Sequence, residues 1–389
     1  MKIVFAAEIF SPDVGGPATY VNKLAQELVS QGHDVKVLTY SDSKSQSEDR
    51  KYNFKVFRVS RKTNVLFRYF KYLKQLKKLS RQADLIFAQG PIPSGLPAII
   101  VKKLTGKKVI IKVVGDFSWE RSRNVYGLTK NIDEFQNSKM PWKLKCLRWL
   151  QTKVLNQADL IITPSHYLKK IVSGWGINSD KVEVIYNAVE KIDCPLSPEA
   201  AKEDLKISGN IILSIGRLVP WKGFETLIKI FPKLLEVNNN YKLVIVGDGP
   251  ERKNLEELIK QNNLSGQVVL TGQINHRDIP KFLRAADFFV LNTSYEGLPH
   301  LVVEALMMKL PVITTKIGGN PEVIENGVNG LLIDYNNEGQ LLDAVKKIWT
   351  DKELVNKFVM NSEASLTKFS FSEMYQQTVA QFKNITEKN

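Results

Sequence analysis

A chain of 389 residues exceeds one comfortable core and suits two domains of ordinary size. Its 43% hydrophobic content is that of a globular protein, and no stretch reaches the ~18 apolar residues that a membrane-spanning helix needs. The net charge of +15 belongs to the first half: residues 1–190 hold 32 Lys and Arg against 16 acids, residues 191–389 hold 23 against 24.

The chain opens MKIVFAAEIFSPD, an apolar run broken by Glu8 and followed by Pro12 and Asp13. That is too short for a signal peptide and reads as a buried first strand, residues 2–7. A glycine-bearing loop (13–17) leads to a helix over 18–31, where Val21, Leu24, Ala25 and Leu28 recur at helical spacing and Gly32 follows as a C-cap. Strands are predicted at 35–39, 85–88, 109–114, 160–163 and 182–185, with helices between them. The pattern then restarts: a strand at 210–215, a loop at 216–223, a helix at 224–235, and strands at 242–246, 268–271, 288–291, 311–314 and 330–333. Strands alternating with helices predict parallel sheets, here two doubly wound α/β domains joined near 187–195. The predicted division is 1–190 and 191–369. A last helix over 369–383 falls in the closing segment, 370–389. Cys146 and Cys194 have no metal-ligand or redox spacing, which predicts reduced thiols in a cytoplasmic protein.

Ligands of doubly wound sheets bind outside the carboxyl ends of the strands, and the polar motifs fall there. Gly216-Arg-Leu-Val-Pro-Trp-Lys-Gly223 follows the strand 210–215 and sets two cations, Arg217 and Lys222, at its end. Fixed cations stabilise a diphosphate leaving group whose charge grows as a bond breaks; a loop with two solvated charges is the other reading. Tyr295-Glu-Gly-Leu-Pro-His-Leu-Val-Val-Glu304 follows the strand 288–291. Pro299 suits the first turn of a helix there, and the backbone amides of Gly297, Leu298, Pro299–His300 and Leu301 surround an anion site at its start. Glu296 and Glu304 flank that site, and carboxylates pair well with vicinal hydroxyls. Glu304 stands among Leu301, Val302, Val303, Ala305 and Leu306, an odd place for an idle charge.

These motifs, with Val246-Gly-Asp-Gly-Pro250, Leu270-Thr-Gly272, Gly318-Gly-Asn-Pro-Glu322, Gly15-Gly16 and the closing Phe369-Ser-Phe-Ser, resemble the family-4 glycosyltransferases in their order along the chain. The resemblance covers nearly the whole chain. It implies a GT-B fold, α/β, with two facing Rossmann-like domains and a donor cleft between them. The pair Glu296 and Glu304 resembles the family's E-x7-E motif. By that resemblance, Arg217 and Lys222 hold the donor diphosphate, Glu304 the ribose hydroxyls, and Glu296 stands at the sugar as a catalytic residue. Backbone amides at Leu298–Leu301 meet sugar and phosphate, Gly15 and Gly16 let a first-domain loop approach the phosphates, and the base lies near Gly272 and Ile274. The last helix crosses back onto the first domain. The family retains anomeric configuration and needs neither metal nor cofactor, the nucleotide-sugar being a substrate.

Many relatives carry a histidine after the strand corresponding to 109–114. This chain has Val113-Val-Gly-Asp-Phe-Ser-Trp119, which makes Asp116 the occupant of that place, either as a catalytic carboxylate or as a turn or N-cap residue. His300 is expected to contribute its amide rather than its ring, while His166 and His276 fall in polar turns.

Residues 51–112 hold 16 basic residues and one acid, Asp84. Within them the helix 65–79 is predicted to turn Leu66, Tyr69, Phe70, Leu73 and Leu76 to one side and Lys71, Lys74, Lys78 and Arg81 to the other. Either this is a solvated face, or it rests with Lys102, Lys103, Lys107 and Lys108 on anionic lipid, near a glycan or lipid-linked acceptor met by residues 117–142. A nucleic-acid module would need aromatic platforms or a recognition helix, and neither is evident. A dinucleotide oxidoreductase would need G-x-G-x-x-G after the first strand, a spacing Gly15-Gly16 lacks. A sugar synthase or phosphorylase of the same fold, acting on a small soluble acceptor, remains the alternative.

Overall fold

Two parallel sheets, each wound outward in both directions from a central strand, organise the chain. The computed structural model describes residues 1–13, 15–42, 48–127 and 130–387. It divides into a unit of residues 1–187 with the chain from 374 onward, and a second unit of 188–373.

The first unit holds β1 (Lys2–Ala6), β2 (Asp34–Ser41), β3 (Lys55–Ser60), β4 (Leu85–Gln89), β5 (Lys108–Lys112), β6 (Leu160–Thr163) and β7 (Val182–Val184). Their order is β3-β2-β1-β4-β5-β6-β7, and every pairing is parallel. Helices cover both faces, so β4 is buried at all its residues and its sequence, LIFAQ, is nearly all apolar. Strand β3 was not expected. It lies at the sheet edge inside the basic stretch, where Lys55 and Arg58 interrupt the apolar signal; Arg58 is held by Asp49 at 2.7 Å. The helix Phe371–Glu387 reaches this unit in its later turns: the Phe382 ring lies 5.1 Å from that of Phe87 on β4, and Met374, Thr378 and Phe382 are buried.

The second unit holds β8 (Asn210–Ile215), β9 (Tyr241–Val246), β10 (Val268–Gly272), β11 (Phe288–Leu291), β12 (Val312–Thr315) and β13 (Leu331–Ile333). They lie in the order β10-β9-β8-β11-β12-β13, again all parallel. Its core joins Phe224, Ile228 and Phe231 of the helix Phe224–Val237 to Leu243, Ile245, Phe288 and Val290. In each sheet the winding reverses between neighbouring strands, β1 and β4 in one, β8 and β11 in the other. Loops leaving the carboxyl ends of such a pair part in opposite directions and leave a crevice for a ligand.

Candidate functional site

The loops after β8 and β11 flank the crevice of the second unit. After β8, Gly216–Val219 runs into a short 3-10 turn, Pro220–Lys222, and Gly223 adopts φ 58° to start the next helix. The loop is buttressed by the turn after β9, where Leu218 N–H donates to the Asp248 carbonyl at 3.0 Å. Gly247, at φ 141°, lies so close that a Cβ there would fall 2.0 Å from the Gly216 carbonyl oxygen, so only glycine allows the contact. Arg217 projects from this loop, exposed and with no ion-pair partner among the described residues. Lys222 is mostly buried and forms an ion pair with Glu296, which it reaches from the opposite loop.

That opposite loop is pinned at its start by two hydrogen bonds. Ser294 N–H donates to the Trp221 carbonyl at 2.9 Å, and Thr315 Oγ1 donates to the Thr293 carbonyl at 2.7 Å. Gly318, at φ 65°, presses on Glu296: a Cβ would fall 2.2 Å from its carbonyl oxygen, and Gly319 N–H donates to that oxygen at 2.8 Å. The glycines of Gly318-Gly319 thus set the backbone that carries Glu296 and Gly297. Pro299 precedes the helix His300–Met307 as its cap residue rather than standing in its first turn. The His300 amide donates to the Leu298 carbonyl at 3.0 Å, so, contrary to expectation, that N–H is already engaged. Leu298 and Pro299 are buried, Gly297 and Leu301 partly so.

Glu304 lies one turn inside this helix and is 4% exposed. Its Oε1 stands 3.3 Å from His276 Nε2, while Oε2 is buried with no partner among the described residues. Burial raises the pKa of the Glu304 carboxyl; His276 opposes the rise and Glu190 adds to it. His276 is a residue the sequence passed over as part of a polar turn. It follows β10, in a 3-10 turn, His276–Asp278, capped by the Asn275 side chain. The loop of Gly272 and half-buried Ile274 is therefore brought beside Glu304, a juxtaposition that no spacing in the sequence announces.

Three of the expected residues belong to the first unit. Gly15 and Gly16 begin the helix Gly16–Ser30 beyond β1, and Val14 between β1 and them lies outside the described residues. A Cβ on Gly16 would meet no atom of the chain within 4 Å, so packing does not dictate glycine there. Asp116 is fully buried. Its Oδ1 accepts from the N–H groups of Ser118 and Trp119, capping the helix Phe117–Tyr126, and its Oδ2 pairs with Arg148 at 2.9 Å and accepts from Gln136 at 3.1 Å. These contacts correct the catalytic expectation: both oxygens are committed to the protein, and the N-cap reading accounts for the residue. The candidate acceptor segment, 117–142, includes Leu128 and Thr129, which lie outside the described residues.

Two carboxyls near this unit's own crevice went unassigned in the sequence. Glu8, beyond β1, packs where a Cβ on Gly90 would fall, and Gly90 follows β4 at φ 107°. Burial, with Glu120 in support, pushes the Glu8 pKa up to about 8; burial and then Asp116 raise Glu120 to about 7. The signal for Glu8 was present as a charge inside the first apolar run.

The helix Val65–Ser80 differs from its predicted orientation. Tyr72, Leu76 and Leu79 are the buried residues, because the Tyr72 hydroxyl reaches the carbonyls of Ala7 and Leu38. Leu66 and Phe70, expected on the inner side, are 81% and 62% exposed, beside Phe67 at 53%. Lys102 is drawn away from any external partner by Asp159, at 2.7 Å. No helix among the described residues is long and apolar enough to cross a membrane.

Comparison with known proteins agrees with this geometry. Residues 14–191 match the family described as glycosyltransferase family 4, and residues 198–365 match glycosyl transferases group 1. An uncharacterized glycosyltransferase of Methanocaldococcus jannaschii is 32% identical over 57% of this chain and 59% of its own length. The chain thus spans less than two thirds of that relative. The GPI3 subunit of the Saccharomyces cerevisiae phosphatidylinositol N-acetylglucosaminyltransferase is 25% identical over 84% of this chain and 70% of its own. Among solved structures, Anabaena HepE in complex with UDP has a TM-score of 0.80 at 20% identity, covering 99% of this chain and all of that one. Sucrose-phosphate synthase of Thermosynechococcus elongatus has a TM-score of 0.79 at 19% identity, covering both chains fully. These likenesses show the fold, two Rossmann-like units of the GT-B class.

Proposed function

The chain belongs to the family-4 glycosyltransferases, and on that premise we propose that it moves a hexosyl group from a UDP- or GDP-sugar to a glycan or lipid-linked acceptor, with retention of anomeric configuration and without a metal. The observation that carries the donor assignment is the gathering of Arg217, Lys222, Glu296 and Glu304 around one switch point of the second unit.

Arg217 and Lys222 serve the diphosphate. As the bond from sugar to phosphate breaks, its electron pair passes to the leaving oxygen, and cations fixed at that place stabilise the transition state more than the ground state. Lys222 has N–H donors beyond the one aimed at Glu296 and can hold a phosphate while Glu296 holds it in place. Glu304 serves the ribose: its unpartnered, desolvated oxygen lacks a donor that a hydroxyl supplies. The neighbouring loop of Gly272 and Ile274 then receives the base. Glu296, on the loop between cation and helix start, meets the sugar. UDP in the structural neighbour from Anabaena supports a uridine donor.

The surface of the helix Val65–Ser80 supports an acceptor at a membrane. Its exposed Leu66, Phe67 and Phe70 stand beside exposed Lys62, Lys71 and Lys74, the pairing of apolar anchor and cation that suits an anionic bilayer.

One assay tests the donor and acceptor together. Nucleotide release is measured from UDP-, GDP- and ADP-sugars, with chelator, against glycan, lipid-linked and small soluble acceptors. Release from a UDP- or GDP-sugar that survives chelation and rises with a glycan or lipid-linked acceptor is expected. Stimulation by small soluble sugars alone shifts the reading to a sugar synthase, and no release from any donor sinks it. Flotation with anionic and neutral vesicles tests the membrane; equal recovery on both at moderate salt removes that part.

A further inference from the structure

The first unit contains a cavity of about 660 Å3 between the helices Trp142–Asn156 and His166–Ser173 and the short helix Ile132–Gln136. Trp149 and Trp175 give it aromatic walls, and Asp133, Gln136, Asn137 and Arg148 give it polar ones. Trp149 is 60% exposed. A large ring left open beside polar groups is a costly arrangement for stability alone, since burying it would remove far more apolar surface from water.

The polar wall is held rigidly. Trp175 Nε1 donates to Gln136 Oε1 at 2.9 Å, Gln136 Nε2 donates to the Asp116 carboxylate, and Arg148 Nη2 pairs with the same carboxylate. Arg148 also stacks on Phe135, with its guanidinium carbon 4.8 Å from the ring centre. Its Nε is buried and has no partner among the described residues. The Asp133 carboxylate accepts from the Tyr167 hydroxyl at 2.9 Å and keeps further acceptor capacity. Groups fixed in this way lose little freedom when a ligand arrives.

The chemistry selects the ligand class. Charges at the wall nearly balance, with Arg148 already neutralised by Asp116 and the remaining lining holding one cation, Lys170, and one carboxylate, Asp133. Such a wall does not attract a polyanion. Flat indole faces match the C–H face of a sugar ring, while amides, a carboxylate and a guanidinium match its hydroxyl edge. We propose that this cavity binds a short stretch of saccharide in the acceptor glycan, stacked on Trp149 and hydrogen-bonded by Asp133, Gln136, Asn137 and Arg148. The identity of the saccharide as acceptor rests on the transferase reading above; its binding to the cavity does not.

The test uses the full chain and an array of immobilised neutral oligosaccharides, with UDP binding measured calorimetrically in parallel. Wild-type protein should bind a subset of the array, Trp149→Ala should lose about tenfold in apparent affinity, as removal of a stacking ring implies, and Trp149→Phe should keep most of it. UDP affinity and melting temperature should be unchanged in both variants. Loss of UDP binding by the wild type with array binding intact would overturn the donor reading and leave this one standing. No array binding by the wild type, or equal binding by Trp149→Ala, overturns the proposal. So does a Trp149→Ala variant that loses vesicle binding while its array binding stays whole, since the ring then meets lipid.

Discussion

The Glu304 carboxyl stands 3.3 Å from His276 Nε2, and its other oxygen, buried, meets no donor among the described residues. The first contact joins the loop after β10 to the helix after β11, two strands three positions apart in the sheet order. The second leaves an acceptor desolvated, at a cost of about 1–3 kcal/mol that a ligand hydroxyl would offset.

Glu304→Gln should therefore divide binding from stability. Because burial raises the carboxyl's pKa in the folded protein, the fold binds that proton more tightly than the unfolded chain does. Stability then falls as pH rises from the ordinary carboxylate value through the raised one. The glutamine variant should flatten that part of the melting curve against pH, while UDP affinity drops about tenfold or more. Unchanged UDP affinity by calorimetry would remove Glu304 from the donor site.

Arg217 and Lys222 should behave differently although both are assigned to the diphosphate. Arg217→Ala removes an exposed, unpaired cation and should leave stability within about 0.5 kcal/mol while turnover falls. Lys222→Ala also strips Glu296 of its partner, and the two side chains are only 14% and 18% exposed. A double-mutant cycle of Lys222→Ala with Glu296→Ala, read by urea unfolding, should give a coupling of about 1–3 kcal/mol. A coupling near zero would mean that the pair is not maintained in solution.

Asp116→Ala should act on the fold. It deletes a helix cap, worth about 1 kcal/mol, and leaves Arg148 mostly buried without its counter-charge, about 3–5 kcal/mol more. Asp116→Asn keeps a capping oxygen and should lose less. A large fall in turnover at unchanged unfolding free energy would return the residue to a catalytic role.

Lys112, at the end of β5, is 1% exposed, and burial lowers its pKa to about 7. Its ammonium stands 3.8 Å from the centre of the Tyr20 ring, which offsets part of the desolvation. The unfolded chain holds this proton up to the ordinary lysine value of about 10.4, so stability should rise with pH between about 7 and that value. Lys112→Met should raise the melting temperature most below pH 7, with the gain shrinking toward pH 10. A gain that does not vary with pH would mean that the lysine keeps an ordinary pKa in the fold.

Much of the architecture was legible because apolar runs of strand length, alternating with helical periodicity, are buried in parallel sheets covered by helices. β3 escaped because Lys55 and Arg58 mark an edge strand whose outer side needs no apolar residues. The helix Val65–Ser80 was turned wrongly at Leu66 and Phe70 because they fit an amphipathic pattern as well as Tyr72 and Leu79 do, and only the packing of Tyr72, Leu76 and Leu79 in the core, with the Tyr72 hydroxyl contacts, distinguishes them.

By itself the sequence determined which residues stand at the strand ends, Arg217 and Lys222 after one strand and Glu296 and Glu304 after another, since the order of charges along a chain is covalent. Only the tertiary structure decided who meets whom: Lys222 with Glu296, His276 with Glu304, and Asp116 with Arg148 rather than with a substrate. Partners separated by 74 residues are brought together by the winding of the sheet, and a side chain's role follows from whether that winding leaves its polar atoms satisfied or open.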